Sequence, residues 1–364
     1  MIEILAAVTQ CCGADWELKT VTLDEPQDDE VLVRIVATGL CHTDVSVRYQ
    51  HLPVPLPAVL GHEGAGVVEK IGAAVTELAV GDHVVLTVAS CGKCPNCLNG
   101  LPTYCHQALP LNFSGRRADG SATLCCDGVD ISGNFFGQSA FASYALANER
   151  NAVKVPKDVD LALLGPLGCG IQTGAGTVMN KLKPAIGSSI AVFGAGAVGL
   201  SAIMAARVVG CTTIIAVDRH ANRLTLAKEL GATHTINAAE GNAVDAIRAL
   251  CGGVQYSLDT TAVPAVIQQA VESLLPLGQC VILGVSSPGA SITLPISSLF
   301  FGQSVGGAIE GDSVPKLFIP KLIELWRQGR FPFDRLVRFY EFGQINQAMH
   351  DSAKGIALKP VLRM

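Results

Sequence analysis

Four cysteines, Cys91, Cys94, Cys97 and Cys105, follow the pattern C-x2-C-x2-C-x7-C. Gly92, Pro95, Asn96 and Gly100 lie between them, so the chain can turn back on itself and bring four sulfurs round one ion. Four thiolates make the closed tetrahedral shell of a structural zinc. An iron–sulfur cluster and unligated buried thiols are the competing readings of the same residues. A closed shell leaves no position for a substrate, so catalysis has to lie elsewhere. Two other segments carry metal-ligating residue types: GLCHTD at 39–44 and GHEGAG at 61–66. Each alone is weak, because an isolated His or Cys is more often a core or surface residue.

A second kind of chemistry is written at 194–199, GAGAVG, which directly follows the strand-like SSIAVF and opens a run of small residues. Gly194 permits a tight turn, Gly196 lets backbone approach a diphosphate, and Gly199 lets the helix pack close to the strand, leaving the diphosphate on a helix N-terminus. Asp218 closes the next strand, IIAVD, where a carboxylate accepts hydrogen bonds from ribose hydroxyls and repels a 2′-phosphate. This predicts NAD as the coenzyme, with the adjacent Arg219 softening the repulsion.

Taken together with LGCGIQTG at 167–174, the order and spacing of these motifs resemble the zinc-containing medium-chain alcohol dehydrogenases along essentially the whole chain. The resemblance implies that Cys41, His62 and Cys169 bind a catalytic zinc, the two-cysteine, one-histidine set of alcohol dehydrogenase, with a fourth position left open. With the four-cysteine site this makes two zinc ions per chain. Glu63 matches an acidic residue that approaches the metal as ligands exchange. Asp44 matches a carboxylate that accepts the remaining N–H of His62, and Thr43 matches the hydroxyl that takes the alcohol proton. Ser46 stands where well-studied members have a relay His, which leaves the proton's exit to Ser46 with water or to His51. In the coenzyme site His42 matches a residue facing the diphosphate and Arg223 a basic residue near the ribose. Thr173 and Val198 match positions that press on the nicotinamide.

These residues need two kinds of scaffold. Residues 29–85 read as short Val- and Ile-rich strands, such as Glu30–Ala37 and Gly64–Ile71, separated by Gly, Pro and Asp turns. From about Ile190 the pattern alternates strand, turn and helix, the sign of βαβ units and a parallel sheet. Further strands are expected at 256–259 and 279–284, after helical stretches at 246–250 and 265–275, and the segment 105–144 reads as a long irregular lobe. A helix at 315–328 and a closing strand KPVLRM complete the chain. The expected fold is α/β: a GroES-like β-rich catalytic domain at 1–170, a doubly wound Rossmann coenzyme domain at 171–312, and a return to the catalytic domain at 313–364.

Composition supports a large core: 49% of the 364 residues are hydrophobic and only 16% charged, with 38 glycines for tight turns. A formal charge of -5 with no cluster of Lys and Arg argues against nucleic acid or anionic membrane partners. No signal peptide or membrane span is expected, and thirteen cysteines without an export signal point to reduced thiols in the cytoplasm. The runs PVPLPAVLGHEGAG, GPLGCGIQTGAG and KLFIPKL resemble the bacterial aryl-alcohol (benzyl-alcohol) branch, with geraniol dehydrogenases close behind. The resemblance therefore implies NAD-dependent oxidation of a primary aryl or allylic alcohol by a homodimer or homotetramer. Two alternatives stand beside it: a glutathione-dependent formaldehyde dehydrogenase, and a zinc- and NAD-binding protein without turnover.

Overall fold

The strand Glu30–Gly39 is buried along nearly its whole length, as its Val- and Ile-rich run requires of a central strand. In the computed structural model, which describes residues 1–286 and 289–364, the chain forms two units. The first comprises 1–170, 314–321 and 334–364; the second comprises 171–313 and 322–333.

Two sheets build the first unit. A five-stranded sheet runs in the order Ala58–Val59, Ile2–Thr9, Trp16–Leu23, Leu124–Cys126, Val129–Ile131. In the other, Glu30–Gly39 pairs with Gly64–Ile71, with Tyr144–Asn148 and with the closing strand Lys359–Arg363. The C-terminal pairing is antiparallel, with Val361 opposite Gly39 and Leu362 opposite Thr38, and the Leu40 N–H donates to Pro360 O at 2.9 Å. That register carries Lys359 to the end of the strand from which the 40–44 loop departs. Gly39 is needed there, since a Cβ would come within 1.9 Å of Glu63 Oε2.

A six-stranded parallel sheet forms the second unit, in the order His234–Asn237, Thr213–Asp218, Ser189–Phe193, Val254–Asp259, Leu274–Ile282, Ser304–Gly307. Strand order reverses between Ser189–Phe193 and Val254–Asp259, which opens a crevice at the carboxyl ends of these strands. The helix Ala197–Val209 follows the first of them, and small residues on its buried face let it lie close to the sheet.

Three local expectations are corrected. The strand expected at 279–284 begins already at Leu274, and the helix before it ends at Glu272. Pro276 and Gly278 make the sequence read as a turn, but the strand absorbs them with Leu277 at φ 64° near a register shift. The segment 105–144 is less irregular than its composition suggests, holding a helix Ala108–Phe113 and a hairpin of Leu124–Cys126 with Val129–Ile131. The helix expected at 246–250 extends over Ala243–Cys251, because Asn242 caps it by accepting the N–H groups of Val244 and Asp245.

Candidate active site

The first unit brings Cys41, His62, Glu63 and Cys169 together with one ligand atom each, all within 4.8 Å of one another. Asp44, buried at the start of the helix His42–Arg48, organises them. Its Oδ1 accepts the His62 Nδ1 hydrogen bond at 2.9 Å and the Gly61 N–H at 3.0 Å, while Oδ2 accepts the Cys41 N–H at 2.9 Å. With Nδ1 held in this way, His62 Nε2 is buried without a hydrogen-bond partner. A buried ring nitrogen aimed among two sulfurs and a carboxylate fits a metal ion.

Local charge is arranged to match. Burial pulls the His62 imidazole down, but the Asp44 charge and hydrogen bond, helped by Cys41, outweigh it and hold it well above the usual range. The hydrogen bond with Cys169, then the Lys359 charge and His62, hold the Cys41 thiol well below an ordinary thiol against the effect of burial. Surroundings that favour a proton on the ring and a thiolate at Cys41 equally favour a dication. Glu63 accepts Lys359 Nζ at 2.8 Å on Oε1 and 3.0 Å on Oε2, and the Gly170 N–H at 3.3 Å. Burial pushes its carboxyl up, partly offset by the Lys359 charge. Lys359, also buried, is pulled down by burial and pushed up further by Glu63, Cys41 and Cys169.

Sequence reasoning passed over three residues here. Lys359 reads as an ordinary charge in KPVLRM, and only the strand register reveals its role. Gln138 donates to the His62 carbonyl at 3.0 Å and accepts the Gly64 N–H at 3.1 Å, fixing the backbone on both sides of Glu63. Phe136 stacks on His62 with ring centroids 4.6 Å apart. A lone Lys in an apolar closing strand and the aromatic pair in NFFGQS were the available signals. Thr43 Oγ1 lies 3.7 Å from Cys41 Sγ, His42 is exposed, and Ser46 is half-buried with its carbonyl accepting the His51 N–H at 2.8 Å.

Cys91, Cys94, Cys97 and Cys105 form a second cluster. Sulfur separations of 3.5 Å (Cys94 to Cys97) and 4.0 Å (Cys91 to Cys97, Cys94 to Cys105) bracket the ~3.8 Å edge of a tetrahedron with ~2.3 Å zinc–sulfur bonds. They are far too long for disulfides. Backbone N–H groups of Cys91, Cys94, His106 and Gln107 point at these sulfurs at 3.2 to 3.5 Å, as thiolates require.

In the second unit Gly194 adopts φ 94°, and a Cβ on Gly199 would meet the Gly194 carbonyl at 1.8 Å. Nothing lies within 4 Å of a Cβ built on Gly196, the N-cap of the 13-residue helix that begins at Ala197. The turn is thus tight where the helix packs and open where a diphosphate would approach. Asp218 accepts the Ala195 N–H at 2.7 Å and the His220 N–H at 2.8 Å, tying the glycine turn to the next helix. Arg223 stands 3.9 Å from Asp218 Oδ2, with its Nε buried and unpartnered, which suits a ligand arriving beside it. Thr173 donates to Glu310 Oε2 at 3.2 Å, and Val198 lies in the first turn of the helix after Gly196.

Comparison with known proteins agrees with this geometry. Residues 27–157 match the alcohol dehydrogenase GroES-like domain, and residues 197–325 match the zinc-binding dehydrogenase family. A geraniol dehydrogenase from Castellaniella defragrans is 47% identical over 99% of this chain and 98% of its own. The crystal structure of benzyl alcohol dehydrogenase from Acinetobacter calcoaceticus superposes with a TM-score of 0.97 at 52% identity, covering all of both chains. A zinc-binding-domain alcohol dehydrogenase from Burkholderia ambifaria gives 0.98 at 55% identity, over 100% of this chain and 99% of that one. The chain belongs to the zinc-binding alcohol dehydrogenases and is an oxidoreductase of small-molecule alcohols that uses zinc and a nicotinamide coenzyme.

Proposed function

We propose that the substrate is a primary aryl or allylic alcohol of the benzyl-alcohol or geraniol type, oxidised reversibly to its aldehyde with NAD as hydride acceptor. The observation that carries this reading is an apolar cavity whose wall residue Phe113 packs on the ring that stacks on His62. A cavity of about 300 Å³ is lined by Leu52, Pro53, Leu109, Pro110, Phe113 and Ser114. From it Phe113 contacts Phe136 edge-on at 5.3 Å, and Phe136 stacks on His62. Such walls suit a flat ring or isoprenoid chain, whose burial is worth about 25 cal/mol per Å² of apolar surface. The names of two close relatives point the same way. The cavity lining carries no charged side chain to meet an acidic tripeptide, which disfavours the glutathione-dependent reading.

Cys41, His62 and Cys169 would hold the catalytic zinc, and Cys91, Cys94, Cys97 and Cys105 a structural one. Bound at the first site, zinc supplies a Lewis acid for an alcohol oxygen. The protein's own part is to orient and to move protons. Asp44 fixes the His62 tautomer, Lys359 holds Glu63 beside the cluster, and Thr43 takes the alcohol proton and passes it toward Ser46. In the coenzyme site Gly194, Gly196 and Gly199 seat the diphosphate. Asp218 and Arg223 receive the ribose, and Thr173 and Val198 back the nicotinamide. None of the thirteen cysteines is joined in a disulfide among the described residues, and the proposed compartment is the cytoplasm, where thiols stay reduced. No helix among the described residues is long and apolar enough to cross a membrane. A homodimer or homotetramer is supported by the edge strand Ser304–Gly307, paired on one side only. Ile296, Leu299, Phe300 and Phe301 are exposed nearby in sequence.

Four measurements test these readings. Benzyl alcohol and geraniol should exceed ethanol in kcat/KM by at least about 100-fold, since a conjugated product stabilises the transition state and the apolar walls add binding; equal values sink the substrate class. Cys169→Ser should lose one zinc and more than about 99% of turnover with NADH binding kept, whereas Cys97→Ser should lower the melting temperature with loss of the other zinc. Full zinc content and normal activity in the first variant would end the ligand assignment, and an undiminished melting temperature in the second would end the structural one. Asp218→Gly should raise the KM for NAD about tenfold and relax discrimination against NADP; an unchanged preference transfers that role to another residue. Sedimentation equilibrium at micromolar concentration should give a dimer or tetramer mass, and a monomer contradicts the assembly reading.

A further inference from the structure

Three successive residues of the second unit sit in the left-handed region: Glu310 at φ 49°, Gly311 at 64° and Asp312 at 50°. An L residue there crowds its Cβ against backbone, and such a turn persists only where its surroundings over-determine it. Several contacts do so. Ser313 Oγ donates to Gln172 Oε1 at 3.0 Å, Lys181 pairs with Asp312 at 3.0 Å, and Asn180 Nδ2 donates to the Gly311 carbonyl at 3.2 Å. A Cβ on Gly311 would meet Gln172 O at 2.6 Å, so the turn lies directly against the helix that carries Thr173.

These contacts account for the turn. They leave the Glu310 side chain to be explained: a buried carboxyl whose Oε2 accepts both Gln172 Nε2 at 3.0 Å and Thr173 Oγ1 at 3.2 Å. A helical Thr divides between two χ1 rotamers, and an acceptor at a fixed place selects one of them. Because Thr is β-branched, placing Oγ1 also places the methyl group.

We infer that Glu310 is a positioning residue for the nicotinamide end of the coenzyme. By accepting the Thr173 hydroxyl it fixes the side-chain face on which the nicotinamide packs. The inference rests on the reading above that Thr173 backs the nicotinamide. The strained turn supplies the rigidity: its contacts with Gln172, Asn180 and Lys181 tie Glu310 to the helical segment that carries Thr173, so the acceptor keeps one place relative to the hydroxyl.

A double-mutant cycle of Glu310→Ala and Thr173→Val, read by NADH fluorescence titration and by KM for NAD, tests it. Each single variant should raise the NADH dissociation constant about fivefold, and the double variant should rise no further than the worse single one, because both remove the same bond. A multiplicative rise to about 25-fold, or an unchanged constant in Glu310→Ala, overturns the proposal. A role in holding the turn alone would lower the melting temperature without coupling to Thr173. If Glu310→Ala does not fold, the near-isosteric Glu310→Met, which also removes the acceptor, replaces it in the same cycle, with the same criterion. Failure of the wild-type protein to bind NADH at all would instead remove the coenzyme reading on which the inference stands.

Discussion

Asp44 is the interaction on which the site depends. One buried carboxyl takes three N–H groups from two stretches of chain: the Cys41 amide from its own loop, and the Gly61 amide and His62 ring from the other. A charge at zero exposure is costly unless its lone pairs are filled, and hydrogen bonds to charged groups contribute roughly 1.5 to 3 kcal/mol each. The same bonds that offset the burial of Asp44 dock the GLCHTD loop onto the GHEGAG turn. Cys41 and His62, which singly carry little signal, are thereby brought into one set.

A second buried ion pair builds on the first. Glu63 follows His62, and its carboxyl is met by Lys359 from 296 residues away. That contact exists because the closing strand pairs with the end of Glu30–Gly39 in one register, and a slip of a single residue would turn Lys359 to the other face. The third support is the turn 135–139. Phe136 and Ser139 both lie at positive φ, 52° and 53°. Ser139 Oγ donates to the Val59 carbonyl at 2.7 Å and accepts the Phe135 N–H at 2.9 Å, while Gln138 brackets Glu63. This conformation presents Phe136 to the His62 ring. The ring that stacks on His62 and the backbone on both sides of Glu63 are therefore held by the same few hydrogen bonds.

What could be read in the sequence is what short-range chemistry encodes. Unlike the His62–Asp44 partnership, which comes only with the family resemblance, the strand–GAGAVG–helix pattern and the four-cysteine spacing each involve residues whose types and local order restrict the outcome. The parallel sheet after Ile190 was legible for the same reason. Lys359, Gln138 and Glu310 were not, because each acquires its meaning from pairing with a residue more than 70 positions away. Leu274 to Gly278 misled for the opposite reason: Pro276 and Gly278 are true local turn signals that the strand takes up as a bulge, the neighbouring strand pairing on either side of them, Val254 with Leu274 and Tyr256 with Gln279.

The two sulfur clusters show how similar donor atoms are fitted to different tasks. Four thiolates round a dication carry an excess of two negative charges, which is tolerable only with water or N–H donors at hand. Cys91, Cys94 and Cys97 are accordingly only half-buried, and backbone amides point at the sulfurs of Cys91, Cys94 and Cys105. Two thiolates and a neutral imidazole balance a dication without excess, and Lys359 balances Glu63, so that cluster can sit among buried side chains. With a metal bound, the low exposure of His62 and Glu63 would strengthen electrostatic interactions there, while charge on the four-cysteine cluster would be met by the backbone amides around it. His62 in place of a third thiolate thus lowers the negative charge that the buried surroundings of that cluster have to bear.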